Sequence, residues 1–165
     1  MLSFCYIVRM ESSKPNDPLS RFALAIFYVN GLLMRNGDRL TRSIGQSSAR
    51  WQVLGRAGYQ PQTVAEMARD MGHARQSVQR IADVLAAEGL VTYVDNPKDK
   101  RSRLVALTPK GKSVLIKIYE RNEEWAKQVI KKLTIEELTK AADVLEKIGA
   151  TLEAENAAAK RQGNK

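Results

Sequence analysis

Five polar residues between positions 75 and 80 carry side chains that can read the edges of DNA bases: Arg75, Gln76, Ser77, Gln79 and Arg80. A guanidinium can grip a guanine edge or a phosphate, and a glutamine amide can pair with adenine through two hydrogen bonds. The same residue types also occur on solvated faces of ordinary surface helices. Their chemistry therefore indicates nucleic-acid recognition only if the element that carries them is one that enters a groove.

A second cluster of charge lies further along the chain and consists of Lys98, Asp99, Lys100, Arg101 and Arg103. One acid among several bases can orient a guanidinium and hold it extended. An extended arginine can enter the narrow minor groove, where the negative potential of DNA is concentrated. A charge cluster of this kind, taken alone, is more often a solvated turn.

The first cluster lies on the second helix of a predicted helix-turn-helix. Thr63 and Glu66 have the spacing of a capping box, so a helix is expected to start there and to run to about Met71. Gly72 interrupts it, and the next helix starts near Arg75, with Val78, Ile81, Ala82 and Leu85 facing the core. In a helix-turn-helix the second helix fits the major groove, so the polar face of this helix is predicted to meet base edges.

The second cluster lies at the tip of a predicted hairpin. The segments 90–94 and 103–107 are rich in branched residues and predict strands, and the polar stretch 95–102 between them predicts a turn. Because this basic tip directly follows the helix-turn-helix, we expect it to act as a wing that contacts DNA.

Long helices are predicted on both sides of this lobe. Apolar spacing predicts a helix from Pro18 to about Ile44 and a shorter one from Ser48 to Arg56. Thr108-Pro109 is a typical helix start, and a second capping box at Thr134–Glu137 opens a last helix to about Leu152. The predicted fold class is mainly α with a small β-hairpin wing, a winged helix-turn-helix.

The overall charge also favours a polyanionic partner. The chain has 27 Lys and Arg against 18 Asp and Glu, a formal net charge of +9. Nucleic acid is the first candidate and an anionic membrane surface the second, although no apolar run approaches the roughly 18 residues that span a bilayer. The single cysteine, Cys5, excludes an intramolecular disulfide and fits a reducing, cytoplasmic location.

Catalysis is not expected. The chain has one histidine, one cysteine, no glycine-rich phosphate loop and no obvious pair of carboxylates, which predicts no enzyme, no cofactor and no metal site. His73, just before the second helix, is interpreted as structural or phosphate-touching. Cys5 lies before the first predicted helix, in residues 1–9, which we interpret as the product of an upstream start codon, so a redox role is not expected.

The motifs resemble the multiple-antibiotic-resistance regulator (MarR) family. The resemblance runs from about Trp51 to Gly111 and is carried by Val64-Ala65-Glu66-Met67-Ala68, by Glu88-Gly89-Leu90-Val91, by the wing segment 96–102 and by Leu107-Thr108-Pro109-Lys110-Gly111. The wing pattern Asp-x-Arg followed by Leu-Thr-Pro-x-Gly makes the combination specific.

The resemblance implies an obligate homodimer that binds a palindromic double-stranded operator, with half-sites about 10 bp apart. It implies that 75–87 is the recognition helix, that Arg101 enters the minor groove and that Asp99 supports it. It further implies a repressor released by a small aromatic or anionic ligand whose binding residues are unknown. A nonspecific architectural nucleic-acid-binding protein is the alternative.

The predicted organisation follows from this resemblance. Residues 1–17 are expected to be a flexible N-terminus and residues 18–152 a single domain. Within that domain, 18–46 and 109–152 would be dimerisation helices and 47–108 the DNA-binding lobe, while 153–165 would be a frayed tail. Two departures from the family pattern stand out: Ala74 replaces the usual Ser or Thr cap, and Asn96 stands where Asp is commoner.

Overall fold

The structure is a computed structural model, and it describes residues 17–162. The expectations for Cys5 and for residues 1–9 lie outside the described residues, as does most of the expected N-terminal segment 1–17. The described helices and strands are α1 (Pro18–Thr41), a 3₁₀ turn (Arg42–Ile44), α2 (Ser48–Tyr59), β1 (Gln62–Thr63), α3 (Val64–Asp70), α4 (Arg75–Ala87), β2 (Val91–Val94), β3 (Leu104–Leu107), α5 (Pro109–Ile130) and α6 (Ile135–Gln162).

The sheet has three antiparallel strands in the order β1-β3-β2. The predicted hairpin is confirmed, because β2 pairs with β3 from Val91 opposite Leu107 to Val94 opposite Leu104. The third strand, β1, was not among the strands predicted from the sequence. Gln62 and Thr63 pair with Val105 and Leu104. These two residues therefore form a strand because they pair with β3, the strand of the hairpin that lies next to them.

Both capping boxes that the sequence predicted at helix starts are present in the structure. The Thr63 hydroxyl accepts a hydrogen bond from the Glu66 amide at 3.2 Å, and the Glu66 carboxylate accepts one from the Thr63 amide at 2.8 Å. Thr134 and Glu137 make the same reciprocal pair at 3.1 and 2.8 Å before α6. Each box satisfies amides that would otherwise lack a partner at a helix start.

The last helix is longer than the sequence predicted. It runs to Gln162 rather than to about Leu152, so the expectation of a frayed tail from Glu153 is wrong as far as Gln162. The added segment contains Ala154 and Ala157–Ala159 together with Glu153 and Glu155. Alanine and glutamate are strong helix formers, so a helix already started continues through them although they offer little apolar surface.

The chain divides into two compact units, one through Tyr119 and one from Glu120. The first holds α1 to α4, the sheet and the start of α5, and its core contains the fully buried Leu54, Met67, Leu85, Val105 and Ile118. The second holds the end of α5 and α6. The expectation of one domain over 18–152 stays a prediction.

Gly111, in the first turn of α5, packs closely against the turn that follows α4. The Thr108 hydroxyl lies 2.8 Å from the Gly89 carbonyl oxygen and accepts a hydrogen bond from the Gly111 amide at 3.0 Å. A Cβ atom at Gly111 would lie 1.9 Å from the Leu90 carbonyl oxygen. The Leu-Thr-Pro-Lys-Gly motif therefore fixes the start of α5 against the base of the hairpin, and only glycine fits the closest contact.

None of the helices between residues 17 and 162 is both long enough and apolar enough to cross a membrane.

Candidate nucleic-acid interface

Helix α4 presents the face that the sequence predicted. Val78, Ala82 and Leu85 are buried, and Ile81 is half-buried beside them. Facing away from this core, Arg75, Gln76, Ser77 and Arg80 are exposed, while Gln79 is half-buried. The helix is thus anchored by one apolar stripe, and its polar side is open over its first two turns.

A groove of about 310 Å³ separates α4 from the wing. It brings together Arg75 and Gln79 of the helix cluster and Arg101 and Arg103 of the wing cluster; it is also lined by Thr63, Val64, Ala65, Asp83, Tyr93 and Ser102. The two clusters, separate in the sequence, therefore form the walls of one cavity. Arginine dominates the charge of these walls, since Arg75, Arg101 and Arg103 face the single carboxylate of Asp83.

The remaining predicted residues lie outside that groove. Gln76 and Arg80 line a second surface depression of about 710 Å³ on α4, together with Arg75, Gln79, Asp83 and Val84. Ser77 is exposed at the start of the helix and lines neither cavity. Lys98, Asp99 and Lys100 are exposed at the tip of the wing and also line neither.

Asp99 closes the turn at the tip of the wing. Its carboxylate accepts a hydrogen bond from the Ser102 hydroxyl at 2.7 Å and from the Arg101 amide at 3.0 Å. These two bonds, the Ser102 bond first, hold the pKa of Asp99 below its ordinary value. Through the bond to its amide, Asp99 fixes the turn that carries Arg101, and the expectation that the acid also orients a guanidinium stays a prediction. Asn96 makes a similar local bond to the Lys98 amide at 3.0 Å.

The two wing arginines that line this groove have different surroundings. The guanidinium of Arg103 donates to the Tyr93 carbonyl oxygen and lies 5.7 Å from the centre of the Tyr93 ring. The guanidinium of Arg101 is exposed and forms no ion pair within the described part of the chain. Of the two wing arginines, Arg101 is therefore the one that is free to extend toward an external anion.

Sequence reasoning missed Asp83 and Tyr93, which hold Gln79 in place. Gln79 Nε2 lies 2.9 Å from Asp83 Oδ1 and 2.7 Å from Tyr93 Oη, and the Tyr93 hydroxyl lies 2.6 Å from the same Asp83 oxygen. Burial, followed by the bond to Asp83, raises the pKa of Tyr93 to about 12, so the hydroxyl keeps its proton at neutral pH. The i,i+4 spacing of Gln79 and Asp83 was a usable signal. The part played by Tyr93 becomes visible only once the hairpin lies beside α4.

Comparisons with known proteins agree with this geometry. Residues 44–102 match the family model described as MarR family. The chain is 38% identical over 106 residues to an uncharacterized protein of Mycobacterium tuberculosis, and the match covers 64% of this chain and 74% of the relative.

Two solved structures illustrate the similarity of fold. A mutant of MarR from E. coli complexed with operator DNA has a TM-score of 0.67 at 24% identity, covering 82% of this chain and 98% of that one. CouR from Rhodococcus jostii RHA1, bound to p-coumaroyl-CoA, has a TM-score of 0.72 at 19% identity, covering 83% and 94%.

Proposed function

The chain belongs to the MarR family of DNA-binding transcription regulators, and we propose that it is a homodimeric, sequence-specific repressor that a small ligand releases from its operator. In this proposal the protein acts by binding and carries out no catalysis.

The main support for this proposal is that the helix cluster and the wing cluster line one groove. Arg75 and Gln79 project from α4, and Arg101 projects from the wing across the same cavity. A helix presenting Arg and Gln side chains can read major-groove edges, while an arginine on an adjacent hairpin reaches the neighbouring minor groove. The E. coli MarR mutant, whose fold is similar, has been solved with operator DNA, which supports the same use of this surface here.

The homodimer is supported by apolar side chains that helices α1 and α6 leave exposed. On α1, Phe27 is 72% and Tyr28 67% exposed. On α6, the exposed residues Leu138, Leu145 and Leu152 recur every seven positions. Apolar stripes of this size are normally covered, and a second copy of the chain offers a matching stripe. Two copies would present two α4 helices to half-sites about one helical turn apart.

The ligand site in this proposal is a cavity of about 870 Å³ between α2, β3 and the start of α5. Leu107, Leu115 and Ile116 give it an apolar wall, and Lys112, an exposed residue, also lines it. This size and lining suit an aromatic acid, whose ring would pack on the wall while its carboxylate approaches Lys112. CouR, similar in fold, was solved with an aromatic thioester, p-coumaroyl-CoA, which supports a ligand of this class.

Release would follow from a shift in the dimer's conformational population. A ligand can favour one conformation only by binding it more tightly than the other. In one conformation of the dimer, the spacing of the two α4 helices would not match successive major grooves. A ligand that binds this conformation more tightly would therefore lower the affinity of the dimer for its operator.

The test is a fluorescence-anisotropy titration on a duplex chosen from a random DNA pool by in vitro selection with the full chain. We expect the selected duplex to bind at least about 10³-fold more tightly than a scrambled duplex, and both affinities to fall steeply with salt as phosphate counterions are released. Equal affinity for the two duplexes would contradict the specific repressor and favour the architectural alternative.

A further inference from the structure

The amide group of Gln79 has its nitrogen turned toward two acceptors within the protein. Its nitrogen makes two hydrogen bonds, to Asp83 at 2.9 Å and to the Tyr93 hydroxyl at 2.7 Å. A glutamine amide carries only two N–H hydrogens, so directing one to each of these acceptors would leave none for a DNA base. The one hydrogen-bonding group of the side chain that remains is the carbonyl oxygen, Oε1.

The chemistry of the partners dictates which way this amide faces. A carboxylate only accepts hydrogen bonds, so both the Tyr93 hydroxyl and the Gln79 amide must donate to Asp83. The Tyr93 hydroxyl has then given its one hydrogen to Asp83, at 2.6 Å, and can only accept from Gln79. Turning the amide over would place Oε1 against two groups that need a donor, which makes the orientation unique.

The wing itself holds this arrangement. Tyr93 lies in β2, and its ring and carbonyl oxygen contact the Arg103 guanidinium. Gln79 and Asp83 lie one turn apart on α4, and all four residues line the groove between helix and wing. The hairpin therefore fixes the chemistry of a side chain on the helix as well as supplying cations of its own.

We propose that Tyr93 and Asp83 are specificity-determining residues, which make Gln79 a hydrogen-bond acceptor only and so direct it to bases that carry an amino group. In the major groove adenine N6 and cytosine N4 are donors, whereas guanine and thymine present only acceptors at the corresponding positions. The usual two-bond pairing of glutamine with adenine is not available to Gln79, because that pairing needs an amide hydrogen for adenine N7. This inference rests on the proposed reading of DNA by α4.

Base analogues in the selected duplex test the acceptor role. The position read by Gln79 is the one whose base preference changes in Gln79→Ala during selection. If it holds adenine, 7-deazaadenine lacks the N7 acceptor and should bind within about twofold of adenine, whereas purine lacks the amino group and should bind roughly 5- to 100-fold more weakly. If it holds cytosine, 2-pyrimidinone should show the same loss. Equal losses with 7-deazaadenine and purine, or a selected guanine or thymine there, would overturn the proposal.

Two variants test the roles of the partners. Tyr93→Phe keeps the ring beneath Arg103 but frees one amide hydrogen of Gln79, so the preference for an amino-bearing base at that position should fall at least about fivefold. Asp83→Asn lets the amide turn over, so guanine or thymine should gain relative to adenine or cytosine. Tyr59→Phe and Asp143→Asn, which make the same chemical changes outside the network, should retain the wild-type preference.

The outcomes separate this inference from the function on which it rests. If Gln79→Ala changes the selected sequence while Tyr93→Phe and Asp83→Asn both keep the wild-type preference, base reading by α4 stands and the role of Tyr93 and Asp83 is refuted. If the wild-type chain selects no common sequence, the proposed function fails and this inference fails with it. Circular dichroism spectra matching the wild type exclude misfolding as the cause of a changed preference.

Discussion

Arg101 and Arg103 are two residues apart in the wing and have different tasks. Arg103 is held by the ring and carbonyl oxygen of Tyr93, so its charge contributes to the groove from a fixed position. Arg101 follows the turn that Asp99 closes, and its guanidinium is exposed. At this scale the wing contains one arginine that braces the hairpin and one that is available to DNA.

Replacing Arg101 by alanine should weaken DNA binding on every sequence. Loss of one charge-assisted contact is expected to lower affinity about tenfold for the selected and the scrambled duplex alike, and to reduce the salt slope by about 1. Anisotropy titrations at several salt concentrations measure both quantities. Arg161→Ala, which removes the same charge near the end of α6, is the control and should change affinity little. Wild-type affinity in Arg101→Ala would show that the wing does not contact DNA as proposed.

Residue types and spacing predicted the candidate side chains but not how they bond to one another. The sequence identified Arg75, Gln79 and Arg101 as candidates, and the structure places all three on one groove. The bonds of Gln79 to Asp83 and Tyr93 depend on how the hairpin packs beside α4, which is a tertiary contact that no local pattern encodes. The contact of Asp99 with the Arg101 backbone was likewise outside the reach of charge patterning.

At the scale of elements, α4 starts without a side-chain cap. Ala74 occupies the cap position with an extended backbone (φ −65°, ψ 133°) and accepts no hydrogen bond through a side chain. The other two helices of the lobe are capped by side chains, α2 by Ser47 and α3 by Thr63. The first amides of α4 are therefore available to water or to a DNA phosphate, at the cost of some helix stability.

Ala74→Ser should raise the free energy of unfolding by about 1 kcal/mol, because serine fits the backbone at this position and its hydroxyl can accept from an amide in the first turn. Urea denaturation at a fixed protein concentration measures the change. Ala158→Ser places the same residue inside α6, where serine is a poorer helix former, and should lower stability by a few tenths of a kcal/mol. Equal shifts in the two variants would contradict the assignment of Ala74 as the missing cap.

Elements whose signals are local were predicted well. The capping boxes before α3 and α6 and the bounds of α4 follow from residues within a few positions of each other. The sequence did not predict β1, which forms by pairing with β3, and it placed the end of α6 too early, because helix propensity prevailed over the lack of an apolar face. The partner of β1 lies about 40 residues further along the chain, so no residue near β1 signals the pairing. A helix that ends gradually likewise has no capping residue that marks its last turn.

At the scale of the whole molecule, two features call for partners of different kinds. The excess of Lys and Arg, a net charge of +9, favours a polyanion. The exposed apolar side chains of α1 and α6, among them Phe27, Tyr28 and Leu145, favour a protein surface with a matching stripe. The proposed dimer would satisfy both, because the apolar stripes of two copies would cover each other while two basic lobes stayed open to the duplex.

Hydroxyl-radical footprinting of the selected duplex tests this picture most directly. We expect protected segments on both strands related by a twofold axis, with the centres of the two half-sites about 10 bp apart. We also expect minor-groove protection at the outer edges, lost selectively in Arg101→Ala. A single protected segment without twofold symmetry, or even protection along the whole duplex, would contradict a dimer that reads DNA with paired α4 helices and wings.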